Sequence, residues 1–385
     1  MSRQKKKSKA VPVVLIITIL VAVLGIGSLL VPKLVTDPVR TAAQENYEAQ
    51  VKEIEEANAK AQKEYDDAMD LINNPPDEKP LNPTWPEHKS DGWDILDLSD
   101  YPLDNPTAET KTRAEVMNNG LLLVNEWHSR PNDFDESGIK SVGRYLGGNE
   151  KVQVDNYNIS LVPVAADALL EAVNAGKAEG MDHYIVTEGY RSYDTQNEMF
   201  QKKKKQLSSK YTNEDAMIEA TKKEVNFPGT SEFNTGLSFT LRLYDKNDAE
   251  VGAAKYSTTA QAAWMNENCW KYGLIFRFPQ AEWPLATTQD KSFKTGVSMK
   301  LNLYRYVGKG HAAIMHYLDM CLEEYIEYLH EHKHIALFED GVLKYEVWCE
   351  YVGDADSFTV PLTRAKNHVS SLDNMGFVVT VFEHQ

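Results

Sequence analysis

The pattern of apolar and polar positions changes character four times along the chain. An uncharged, mostly aliphatic run from Val11 to Val31 comes first. At about 1.5 Å per residue it spans roughly 30 Å, which predicts a transmembrane helix over 11–32. Residues 41–73 contain no Gly or Pro and are rich in Ala, Glu, Lys and Gln, which predicts a helical stalk. Tyr47, Val51, Ile54, Asn58, Ala61, Tyr65, Ala68 and Ile72 recur there at alternating spacings of four and three, the seam of a coiled coil with a polar Asn58 that can fix register. Pro75, Pro76, Pro80, Pro83 and Pro86 then open a stretch read as an extended spacer over 74–117, without helix or inner strand, which Trp85 and Trp93 tack down.

Globular patterning begins near Asn118. The segment Leu121–Asn125 reads as a short buried strand, and Val164–Gly180 as an alanine-rich amphipathic helix closed by Gly176 or Gly180. Tyr184–Thr187 reads as a strand. Alternation in Leu343–Val347 and Gly376–Val381 predicts a small C-terminal β extension over 335–385, packed on the core domain at 118–334.

Charge adds direction to this plan. Arg3, Lys5, Lys6, Lys7 and Lys9 precede the first apolar run, so residues 1–10 are a basic cytoplasmic tail and everything after Lys33 is expected outside the membrane. Leu29 to Lys33 offers no small-x-small cleavage site, so the run reads as an uncleaved anchor of a single-pass membrane protein. Setting those five residues aside leaves 36 basic against 57 acidic side chains, a balance of −21 that disfavours nucleic acid as a partner. Three cysteines, Cys269, Cys321 and Cys349, allow at most one disulfide, with buried free thiols as the alternative. The run Lys202–Lys205 reads as a solvated helix face.

Five ordered strings carry the chemistry. They are Gly189-Tyr190-Arg191-Ser192-Tyr193 with Gln196; Pro228-Gly229-Thr230-Ser231-Glu232 with Thr235-Gly236-Leu237; Tyr272-Gly273-Leu274-Ile275-Phe276-Arg277-Phe278-Pro279; Tyr304-Arg305-Tyr306-Val307-Gly308; and Cys321-Leu322-Glu323-Glu324-Tyr325. Together they resemble the signatures of the VanY-type D-alanyl-D-alanine carboxypeptidases, the zinc D,D- and L,D-carboxypeptidases, over roughly 118–334. The resemblance implies an α+β fold with a small, mainly antiparallel sheet flanked by helices and a zinc cleft above it.

The same resemblance implies a zinc ion held by two histidines and an aspartate, with a glutamate as base. The family pattern S-x-H-x-x-G-x-A-x-D falls on Ser231 to Thr240, so Phe233 stands for the first histidine and Thr240 for the aspartate. The pattern E-x-W-H before the Arg305 string places Lys300 at the base and Leu303 at the third ligand. No zinc is therefore expected here, because phenylalanine and leucine cannot bind it and an ammonium opposes a dication. Glu232, Asn234 and Asp245 are nearby substitutes, but read as a strand they point away from the Phe233 face. His311 and His316 read as packing or surface histidines, and His330, His332 and His334 as a solvated helix end.

The resemblance also implies a substrate pocket formed by Arg191, Tyr193, Gln196 and Ser231. There Arg191 would grip a carbonyl or carboxylate, with an ion pair bracing its loop as the alternative, while Tyr193 and Gln196 read more readily as packing that braces the turn. Three readings follow. One is an inactive pseudoenzyme binding peptidoglycan stem peptides or a cell-wall protein; another is an active carboxypeptidase with an atypical site; the third is a scaffold acting through its stalk, as a homodimer.

Overall fold

The computed structural model describes residues 45–60, 63, 88–90, 92–148, 151–297 and 300–384. It divides at residue 80 into two compact units, each considered by itself. In the first, residues 45–60 are helical, and Tyr47, Val51, Ile54 and Asn58 are less exposed than their neighbours. The transmembrane segment at 11–32, the basic tail and Trp85 lie outside the described residues. Among the described residues no helix is long and apolar enough to cross a membrane.

In the second unit the main strands are β1 (His88–Ser90), β2 (Trp93–Asp97), β3 (Gln153–Val154), β4 (Tyr184–Glu188), β5 (Ser238–Leu243), β6 (Leu274–Phe276), β7 (Leu303–Tyr306), β8 (His334–Glu339), β9 (Val342–Tyr351), β10 (Asn367–Leu372) and β11 (Phe377–Glu383). The longer helices are α1 (Pro163–Ala178), α2 (Tyr193–Leu207), α3 (Glu214–Lys222), α4 (Ala260–Asn268), α5 (Lys309–Leu318) and α6 (Leu322–Glu331). One sheet runs β3-β4-β5-β7-β6, antiparallel except for its β3/β4 edge. The other runs β1-β2-β8-β9-β11-β10 and is antiparallel throughout. The expected α+β architecture of antiparallel sheets with helices is therefore present.

Each sheet has its own core. Helix α1 starts with Pro163 at its first turn and is followed by Gly180 at φ +81°. Its buried face, Ala165, Leu169, Ala172 and Val173, meets Val186, Phe239 and Leu241 of the five-stranded sheet. Helix α6 buries Leu322, Tyr325, Ile326 and Leu329, one stripe at helical spacing, against Ile335, Leu337, Val347 and Val379 of the six-stranded sheet.

The described residues depart from the sequence reading in three places. Residues 88–97 do not continue the spacer: β2 is an inner strand between β1 and β8, and Trp93 stacks on Tyr317 at 4.7 Å. Ile95 and Leu96 are the buried apolar pair inside an otherwise polar stretch, enough to seat a strand whose partner β8 lies some 240 residues away. Second, the β extension at 335–385 does not form its sheet alone, because β1 and β2 complete it. Third, Leu121 to Val124 are buried as read, yet form no strand. Their backbone is satisfied elsewhere: Leu123 N–H donates to Asp373, and the Gly120 and Leu122 carbonyls accept from Arg305.

Candidate functional site

The four positions that should carry a metal site, though spread over Phe233 to Leu303, meet in space. Thr240 of β5 lies directly opposite Leu303 of β7 and, on its other side, opposite Glu188 of β4. Directly opposed residues share a face, so Glu188, Thr240 and Leu303 form one row across three strands. Phe233 arrives from a 3-10 turn, Glu232–Thr235, rather than the strand expected there. Gly236 ends that turn at φ +71°, where a Cβ would lie 2.5 Å from the Ile139 side chain, so the reversal into β5 requires glycine. Phe233 then packs with Leu303, Phe278 and Val297 in a small apolar cluster.

Charge surrounds this apolar floor. The Lys300 ammonium lies 4.5 Å and the Arg191 guanidinium 4.3 Å from the Phe233 ring centroid, both in cation–π range. Glu188 joins them, accepting from Arg191 at 2.5 Å on one oxygen and from Lys300 at 3.2 Å on the other. Burial works to raise the Glu188 carboxyl, but the two cations outweigh it and hold it below the usual range. The group carries two positive charges and one negative.

The zinc ion implied by the resemblance does not fit these residues. Its donors must be imidazole, carboxylate or thiolate; Phe233 and Leu303 offer only carbon, Thr240 Oγ1 is hydrogen-bonded to Thr187 at 2.8 Å, and Lys300 brings a cation. The suggested substitutes are engaged elsewhere. Asn234 bonds the Ser231 N–H and the Arg191 carbonyl, Asp245 faces His183 at 3.6 Å, and Glu232 is committed to two arginines. Among the described residues no three His, Cys, Asp or Glu side chains gather as metal ligands. His330, His332 and His334 do not form a solvated end, since they bond Asp373, Asp97 and Glu346 respectively. All three cysteines are free and buried.

Above the floor lies a cleft of about 230 Å³, with Phe233, Phe278 and Leu303 below and Ser231, Lys300, Lys222, Glu126 and Glu219 around it. Of the four predicted pocket residues only Ser231 lines it. Gln196 is buried, bonding the Asn226 carbonyl at 2.8 Å and accepting from Arg191 at 3.3 Å. Tyr193 begins α2 and is 45% exposed. Arg191 has both ends of its fork occupied, by Glu188 and Gln196, so the bracing role fits it; the cations lining the cleft are Lys300 and Lys222, the latter paired with Glu219 at 2.6 Å. Arg191→Lys is therefore expected to cost about 1 kcal/mol through the lost second bond and ring contact. Thermal denaturation should show a shift of a few degrees with cleft affinity unchanged; an unchanged melting temperature with weakened binding would return Arg191 to the ligand.

Sequence reasoning missed the layer beneath. Arg277 makes two hydrogen bonds to Glu323, at 2.9 and 2.7 Å, and one to Glu232 at 2.8 Å. Arg305 bonds the other Glu232 oxygen at 2.5 Å, and Ser238 donates to that same oxygen at 2.7 Å. Both arginines are 0% exposed and Glu232 is 5% exposed. Burial pushes the Glu232 carboxyl up, but Arg305 and Arg277 prevail and hold it low. The signal was in the strings themselves: Arg277 in Leu274–Phe278 and Arg305 in Leu303–Val307 are lone charges within apolar runs, and a charge so placed is buried and needs a partner.

Comparison with known proteins agrees with this architecture. The family described as "VanY: D-alanyl-D-alanine carboxypeptidase" matches residues 158–299. A D-alanyl-D-alanine carboxypeptidase of Enterococcus faecium is 29% identical over 72% of this chain and 80% of its own length. The protein called "Putative carboxypeptidase YodJ" in Bacillus subtilis (strain 168) is 31% identical over 54% of this chain and 67% of its own. Among solved structures, the vancomycin-resistance D,D-dipeptidase VanXYg, crystallised with a D-Ala-D-Ala phosphinate analog, shares the fold with a TM-score of 0.52 at 24% identity. That match covers 73% of this chain and 100% of that one.

Proposed function

This chain belongs to the VanY family of D-alanyl-D-alanine carboxypeptidases, and from that premise we propose that it is a zinc-free, catalytically silent member whose cleft holds a peptidoglycan stem peptide ending in D-alanine. The observation that carries the proposal is the convergence of Phe233, Thr240, Leu303 and Lys300 on one spot with no metal donor among them. Phe233 and Leu303 exchange ligation for burial, worth about 1.5–3 kcal/mol each, where unliganded imidazoles would be a cost. The cleft stays open, and its apolar floor suits alanine methyl groups. Lys300 lines it and, with Arg191 and Glu188, leaves one excess positive charge for a terminal carboxylate. The basic tail and apolar run at the N-terminus support anchoring in the cell membrane with the cleft outside.

The full chain in lipid vesicles, titrated with a stem pentapeptide while heat and free D-alanine are both followed, tests this. Saturable heat without D-alanine release is expected, and Lys300→Met should raise Kd roughly ten- to a hundredfold by removing one charged hydrogen bond. Released D-alanine would end the claim of silence; absence of binding at millimolar peptide would end the ligand assignment. A chain that washes off the vesicles at alkaline pH would remove the anchor.

A further inference from the structure

Three carboxylates line the cleft, and two of them are already matched. Glu232 is held by Arg277 and Arg305 in the buried layer, and Glu219 pairs with Lys222. The third, Glu126, is exposed and makes neither a hydrogen bond nor an ion pair among the described residues.

The position of Glu126 is built rather than incidental. Asn125, 5% exposed, donates to Glu323 at 3.1 Å and accepts from the Trp127 and His128 amides, both at 3.0 Å. An asparagine that bonds the backbone two residues on fixes a tight turn, and Glu323 ties this turn to the buried Arg277. The turn sets Glu126 in the cleft wall and leaves Trp127 beside it, 56% exposed. Against them Gly296, also in the cleft wall, turns at φ +71°. A Cβ at 296 would lie 2.6 Å from Glu126 Oε1 and 3.4 Å from the Trp127 ring. Glycine therefore leaves the carboxylate its place, and oxygen and indole border the same point.

A carboxylate and an aromatic ring together receive a cation. The cleft is thus polar in two senses: Lys300 and Arg191 against Glu188 leave one positive charge in excess, and Glu126 supplies a separate, unmatched negative one. A ligand with only a carboxylate would satisfy the first and not the second. One with a carboxylate and a primary ammonium satisfies both. A stem peptide carries that ammonium on the side chain of its diamino acid, and a cross-link acylates the amine and removes its charge.

Resting on the stem-peptide reading of the cleft, we propose that Glu126 and Trp127 form a seat for the side-chain ammonium of the diamino acid, so that the cleft selects stems whose amine is free over those in which a cross-link has acylated it.

The test uses two stem pentapeptides with lysine as the diamino acid, both acetylated at the N-terminus and one also acetylated at the lysine Nζ. Each is titrated against the full chain in lipid vesicles. The free amine is expected to bind roughly five- to twentyfold more tightly, the combined effect of an exposed ion pair and a cation–π contact. Raising salt from about 0.1 to about 1 M should shrink that ratio severalfold. Glu126→Gln should bring the ratio close to one at an unchanged melting temperature, since the side chain is exposed and unpaired. Trp127→Leu should lower the ratio without removing it. Equal affinities for the two peptides in wild type, or a ratio that survives in Glu126→Gln or at high salt, would overturn the seat and leave the stem-peptide reading standing. Binding of neither peptide at millimolar concentration would remove that reading, and the seat with it.

Discussion

Replacing Arg277 by methionine is expected to lower the melting temperature by roughly ten degrees or more, the largest loss from any single exchange around the cleft. The change strips Glu323 of both its guanidinium bonds and Glu232 of one, in a layer closed to water. Removing one partner from a buried ion network costs about 3–5 kcal/mol, because the carboxylates left behind are neither solvated nor paired. In a domain of this size each kcal/mol moves the midpoint by roughly 2–4 °C. Lys294→Met is the matched control: its pair with Glu327 is 2.6 Å long but half in water, so its loss should cost at most about 1 kcal/mol.

Acid reads the same network. Glu232 and Glu323 are both held below their ordinary range, with burial opposing and the arginines prevailing. A carboxylate with a depressed folded pKa adds stability above its unfolded value, about 4.3, and that contribution disappears as pH falls through the folded value. The wild-type midpoint should therefore drop steeply only below about pH 4, and that drop should be shallower in Arg277→Met. If Arg277→Met melts within two or three degrees of wild type at neutral pH, the network does not hold the floor of the cleft.

What was legible in the sequence was local and periodic. The α1 helix and β4, β9 and β11 follow from apolar spacing and glycine punctuation, and of the strings read in the sequence the one around Ser231 reaches the cleft, with Lys300 and Leu303 just before the Arg305 string. What escaped depends on partners far away in the chain. β2 looks like polar linker because Ile95 and Leu96 are its only buried apolar residues, and it becomes a strand through β8, which lies near the other end. Leu121 to Val124 look like a strand by apolarity alone, but their backbone groups are taken by Arg305 and Asp373 before any neighbouring strand can form. Glu232 reads as outward-facing under strand alternation, whereas the 3-10 turn ending at Gly236 delivers it to two arginines. Arg191 carries the fork suited to a ligand carboxylate, but Glu188, an unremarked neighbour three residues earlier, already fills it.

Restoring the donors should restore the metal. Wild-type chain dialysed against zinc at neutral pH is expected to hold no stoichiometric ion, while the combined exchange Phe233→His, Thr240→Asp, Leu303→His and Lys300→Glu should take up one per chain. The geometry for this is already built: Thr240 and Leu303 are directly opposed, which brings their Cβ atoms to about 5 Å, and Phe233 packs against Leu303. Exchanging Lys300 also removes the ammonium that would oppose a dication and releases one oxygen of Glu188. Without zinc, the variant buries imidazoles and a carboxylate with no partner, so it should melt well below wild type. Zinc at about a thousand times its dissociation constant should then return roughly 4 kcal/mol, and wild type should show no such gain. Metal content by elemental analysis and melting curves with and without zinc give both numbers. Tight stoichiometric zinc in wild type would overturn the zinc-free assignment, and a folded variant that takes up none would mean that the four positions do not converge as the sheet register requires.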